Sequence, residues 1–130
     1  MTGVQTCALP ICDKSAAQAI LATAKTQAAG DRATLAKQEK DIAAAKTGDP
    51  DVKLGLAYLS YGQFPQAVAA IQRGIAKGGL KRVTDAEAQL ALGVAQLRAG
   101  DKSAASSTFA AVKGDETQLR LARLWALRAK

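Results

Sequence analysis

Few residues in this chain can carry chemistry. Histidine and asparagine are absent, and cysteine occurs only at Cys7 and Cys12. A Ser-His-Asp or Cys-His relay therefore cannot be assembled. Beyond position 12, zinc would find only carboxylates as ligands. These carboxylates are scattered among helix starts, and no pair is placed for acid–base work. Asp49 and Asp51 flank Pro50 at one such start, where capping and the helix dipole account for them. Gly78-Gly79, with Lys77 and Lys81 beside it, could hold an anion. It lacks the Gly-Lys-Ser/Thr ending of a phosphate loop and reads first as a basic surface loop. Trp125, the sole tryptophan, reads first as a core residue and second as a ligand-stacking platform. The expectation is a chain that is not an enzyme, with no catalytic, cofactor-binding or metal-binding residues.

Composition agrees with a helical chain. Of the 130 residues, 48% are hydrophobic, but nearly half of these are alanine, and aromatics make up only 4%. Alanine favours helices and lets them approach closely, while contributing little apolar area per residue. Strand-type runs of Val, Ile, Thr and aromatics are missing. The net charge of +7 could mean nucleic acid or an anionic surface. The cations, however, are spread along the chain, and the densest group, Arg120, Arg123, Arg128 and Lys130, has no interleaved aromatics on which bases could stack. A solvated surface is the favoured reading and nucleic acid is disfavoured. No apolar run approaches the roughly 20 residues needed to cross a bilayer.

Residues Met1–Ile11, MTGVQTCALPI, resemble the translation of a common sequencing-adapter oligonucleotide, with a GTG start codon read as Met1 and Cys12 on the junction codon. Residues 1–12 are therefore expected to be adapter-derived and without ordered structure. The spacing of Cys7 and Cys12 then says nothing about a metal site, a disulfide or the redox compartment. The reading frame is also expected to be truncated upstream, where a signal peptide or further repeats could lie.

From Asp13 onward, helical runs alternate with short breaks at Gly30-Asp31, Gly48-Asp49-Pro50, Gly62, Gly78-Gly79, Gly100-Asp101 and Gly114-Asp115. Glycine supplies the left-handed residue after a helix end, and aspartate caps the next start. Thr84-Asp85-Ala86-Glu87 has the form of a capping box. These marks predict an all-α chain of seven helices near 14–29, 32–46, 51–61, 64–77, 85–99, 102–113 and 116–129. Residues 13–47 are expected to be a helical hairpin, a degenerate repeat turning at Gly30-Asp31. Residues 48–130 are expected to be two hairpins and a capping helix.

An internal repeat runs through the second part. Leu54-Gly55 aligns with Leu92-Gly93, Gly62 with Gly100, Ala67 with Ala105, and Ile71 with Phe109, at a constant offset of 38 residues. Glycine inside a helix costs about 1 kcal/mol against alanine. Gly55 and Gly93 therefore mark places where another helix should pass too close for a side chain, with Ala67 and Ala105 answering from the second helix. In the last helix Leu121, Leu124 and Trp125 share one face and are expected to cover the second hairpin, leaving Arg120, Arg123 and Lys130 in water.

The series Leu54-Gly55, Tyr58, Gly62, Phe64, Ala67, Ile71, Gly74 resembles the tetratricopeptide repeat. The second copy keeps Leu92-Gly93, Gly100, Ala105 and Phe109, and departs at Gln96 and Lys102. The wording of the C-terminal half also resembles the end of larger bacterial tetratricopeptide proteins, several of which are exported to the cell envelope. The resemblance implies an α-solenoid in which the first helix of each hairpin lines a groove for peptides or partner helices. Carried onto the matching helices, that face is Val52, Leu56, Leu59, Ser60, Leu90, Val94, Leu97 and Arg98. Val52 and Leu56 stand where one family subtype clamps a terminal carboxylate, so that mode is not implied. The same residues could equally pack against a neighbouring repeat. The expected function is a protein–protein interaction scaffold for an unidentified protein or peptide. The alternatives are a spacer or cap for another domain, or a basic module for nucleic acid or anionic surfaces.

Overall fold

A computed structural model describes residues 14–130; the adapter-like segment Met1–Ile11 with Cys7 and Cys12 lies outside them. The described residues form six helices and no strand: α1 Lys14–Ala43, α2 Asp49–Ser60, α3 Phe64–Lys77, α4 Asp85–Arg98, α5 Lys102–Ala110 and α6 Glu116–Ala129. Packing divides the chain into two units, Met1–Thr34 and Leu35–Lys130.

The hairpin expected over 13–47 does not form, because α1 runs through Gly30-Asp31 as one 30-residue helix. The sequence mark was the glycine, but a glycine turns a helix only where it takes a left-handed conformation. Gly62, Gly78, Gly79 and Gly100 do so, and Gly30 does not. A methyl group at Gly30 would meet nothing within 4 Å, so among the described residues no second helix approaches closely there to reward a turn. The alanine-rich flanks carry the helix across the weak point.

The two hairpins of the 38-residue repeat are present. In the first, Gly48 lies against Gly74 and Gly55 lies beneath Ile71 and Ala67. Partners thus descend along α3 as α2 ascends, and the pair is antiparallel. In the second, Ala86 approaches Gly114, Gly93 lies beneath the Phe109 ring, and Gln96 meets Thr108. A Cβ on Gly55 or Gly93 would overlap those side chains. The closest approach is backbone to backbone. A methyl on Gly48 would lie 2.7 Å from the Gly74 carbonyl carbon, and one on Gly74 would lie 2.8 Å from the Gly48 oxygen. Leu54, Tyr58, Ala67, Ala70, Ile71, Leu92 and Ala95 form one core, joined by Leu35 and Ile42 of α1. Ala86, Ala105, Phe109, Val112, Ala122 and Ala129 form a second.

The starts of α4, α5 and α6 are capped as their sequences suggest, whereas α2 has no side-chain cap and Asp49 does not supply the one expected there. Thr84 and Glu87 close the expected capping box, Asp115 and Gln118 close another, and Asp101 accepts from the Ala104 N–H. Asp51 departs from the expected capping role. Its carboxylate is fully buried and accepts from Arg73 Nε at 2.5 Å and Lys77 Nζ at 2.6 Å. Lys77 also donates to the carbonyls of Ala43 at 2.7 Å and Ile42 at 3.3 Å, satisfying the last turn of α1. Arg73 reaches Glu39 at 3.7 Å, and Glu39 accepts from the buried Tyr58 hydroxyl at 3.0 Å. One network therefore ties α1, α2 and α3 together. Gln96, which stands where Tyr58 stands in the first hairpin, is buried and accepts from Thr108 at 2.7 Å. The missing aromatic is replaced by a polar tie within the second hairpin.

Gln118 at the start of α6 reaches Thr84 at the start of α4, and Trp125 and Leu97, near the far ends, line the same hollow. The two helices run parallel, with α6 packed across α5 and α4. Its inward face differs from the one expected. Ala122 and Ala129 are buried, with Trp125 and Ala126 packed beside them, whereas Leu121 and Leu124 are 44% and 64% exposed. Only Trp125 of the expected trio faces the hairpin, stacked 6.3 Å from Phe109.

Two stability outcomes follow from this packing. Gly93→Ala should cost about 1–3 kcal/mol by overpacking against Phe109. Combined with Phe109→Leu it should cost less than the sum, by at least about 0.5 kcal/mol in a urea-unfolding cycle. Additive costs would show that the methyl does not meet that ring. Lys77→Met should lose about 3 kcal/mol, the low end for breaking a buried pair because Arg73 remains on Asp51. The exposed control Lys113→Met should change stability by under about 0.5 kcal/mol.

Candidate partner-binding surface

The expected groove face is partly covered: one of its eight residues is buried and four are half-buried. Val52 is fully buried, and its Cγ2 sits against Gly74. Leu59 packs on the first core beside Leu35 and Ile42. Leu90, Val94 and Leu97 pack on the second, where α6 brings Trp125 and Ala126 over them. Of the eight residues, only Leu56, Ser60 and Arg98 are exposed, and the Arg98 guanidinium lies 5.7 Å from the Phe64 ring centre. The elements that cover these leucines and valines come from elsewhere in the chain.

The loop that follows Gly78-Gly79 does present amide donors, and those of Lys81, Arg82 and Val83 are already engaged. The Asp49 carboxylate accepts from the backbone N–H groups of Lys81 at 3.0 Å, Arg82 at 3.2 Å and Val83 at 3.3 Å. Lys77 is committed to Asp51. The loop therefore closes on the chain's own carboxylate. The Lys81 N–H above all, with those of Arg82 and Val83 and the nearby Lys53 charge, holds the Asp49 carboxyl below its usual range against the opposing effect of desolvation. A hollow of about 700 Å³ beside this loop, lined by Ile75, Leu80, Gln89 and others, mixes one carboxylate, Asp85, with one ammonium, Lys113.

The charge converges instead around α6. Leu97, Arg98, Lys102, Trp125 and Arg128 line a hollow of about 520 Å³. Leu121, Leu124, Trp125 and Arg128 line a second of about 240 Å³, and Arg120, Arg123, Leu124 and Leu127 a third of about 420 Å³. Shared residues make these three one surface. Its only ion pair among the described residues is the solvent-exposed Arg120–Glu116 contact at 3.6 Å. The sequence held a signal for this surface in the three-residue spacing of Leu121, Leu124 and Leu127 and in the small residues Ala122, Ala126 and Ala129 opposite. The alanines mark the packed side, because only they let α6 sit close on α4 and α5.

The Asp49 contact predicts an acid limb. Its folded pKa is depressed, so its contribution is fully present above the unfolded carboxylate pKa and is lost as pH falls through the folded value. Hydrogen exchange should show the Lys81, Arg82 and Val83 amides losing protection over that acid window, and Asp49→Asn should remove that change. Unchanged acid sensitivity in the variant would assign the effect to another group. In comparisons with known proteins, no protein-family model, curated protein or solved structure gives a significant match to this chain.

Proposed function

We propose that the chain is a tetratricopeptide-like scaffold for protein–protein interaction, with α6 as the last helix of a short solenoid and no catalysis of its own. The observation that carries this reading is the repeated crossing. Gly55 beneath Ile71 and Gly93 beneath Phe109 recur 38 residues apart, in two successive antiparallel hairpins. Stacked hairpins of this kind bury one face against the next unit and leave extended side surfaces for partners. The uncovered leucines and cations around α6 form such a surface.

The test is selection of random displayed peptides on the full chain, followed by solution titration of the recovered sequences. Saturable one-to-one binding supports the scaffold. If no peptide sequence is enriched above background, the reading fails and the repeats serve as a spacer. Nucleic acid bound with a steep salt dependence would transfer the function to the basic surface instead.

A further inference from the structure

Resting on the scaffold reading, we infer that the outward face of α6 docks an acidic amphipathic helix of a protein partner. Leu121, Leu124 and Leu127 stand 44%, 64% and 63% exposed. They recur every three residues along one side of the helix, the stripe against which a second helix lies lengthwise. An exposed apolar stripe of this kind marks an interaction site on a soluble domain.

Charge selects the occupant. Arg123 and Arg128 flank the stripe and make no ion pair among the described residues. Arg98 and Lys102 continue the positive field beside Trp125. A helix with leucines on one side and glutamates along its edges would fill the hollows around Leu124 and neutralise those cations. A second copy laid on the same face would set arginine against arginine. A lipid surface fits less well. At 3.6 residues per turn, Arg120 points at an angle between those of Leu124 and Leu127 when viewed down the helix axis, so inserting the leucines would drag its guanidinium toward hydrocarbon.

The experiment uses the full chain and a synthetic helical peptide with leucines spaced i, i+3, i+7 and glutamates at the flanking positions. A twin peptide carries lysine in place of glutamate. Trp125, the sole tryptophan, reports binding through its fluorescence, with peptide polarisation as an independent signal. The glutamate peptide should bind at least about tenfold tighter than the lysine twin, a difference of about 1.4 kcal/mol. Leu124→Glu with Leu127→Glu should weaken binding at least about tenfold while helix content by circular dichroism is unchanged. Arg123→Glu with Arg128→Glu should invert the preference toward the lysine twin, an effect that loss of structure would not produce.

Equal affinity for the twins, or binding indifferent to the leucine changes, overturns the proposal. So does a dimer that Leu124→Glu dissolves, which would make a second copy the occupant. Tighter binding to phosphatidylserine vesicles than to the peptide also overturns it. If displayed peptides of other chemistry bind elsewhere on the chain, the scaffold reading stands and this proposal alone falls.

Discussion

The structure depends on how closely its helices can approach. With alanine the commonest core residue, each buried side chain removes little apolar area from water, and stability must come from contact density. Gly48 against Gly74, Gly55 beneath Ile71 and Gly93 beneath Phe109 bring the helices to distances at which a single extra carbon would overlap a neighbour. Each glycine sacrifices helix propensity. The return is that one large side chain, Ile71 or Phe109, lies directly on a backbone and contacts the whole hairpin.

That close packing leaves a carboxylate inside. Asp51 sits on the turn of α2 next to the Gly48–Gly74 contact and is fully buried there. A buried charge is tolerable only when paired and hydrogen-bonded, and both its oxygens are engaged by cations one helical turn apart on α3. Lys77 has donors to spare and uses them on the last carbonyls of α1. The same ion that neutralises Asp51 thus terminates another helix, which makes the geometry of α1, α2 and α3 interdependent beyond their modest apolar contact.

The inward alanines of α6 have the opposite consequence at the surface. A helix that packs through Ala122, Ala126 and Ala129 must send its leucines outward, because its alanines and leucines occupy opposite sides. The leucines emerge among arginines, and the outcome is a face both apolar and positive. The core-building choice on one side of α6 and the apolar, cationic surface on the other are therefore one sequence pattern seen from two directions.

Much of this could be read from residue spacing alone. The all-helical class, the 38-residue recurrence, the capping box at Thr84 and the helix-crossing roles of Gly55 and Gly93 are local or periodic properties, and periodicity survives into the fold because it sets which side chains share a face. Other features required knowledge of what lay opposite. Gly30 reads as a break and is helical, since among the described residues no second helix approaches closely there to reward a turn. Asp51 looked like a cap and is an interior ion, since its partners lie 22 and 26 residues further along. Val52, Leu90, Val94 and Leu97 share the predicted faces, but Val52 is fully buried and the other three are partly buried, since the elements packed against them come from distant positions. A helix face can be identified from its own sequence. Whether that face meets another helix or solvent depends on the position of every other element, and only the tertiary structure decided that.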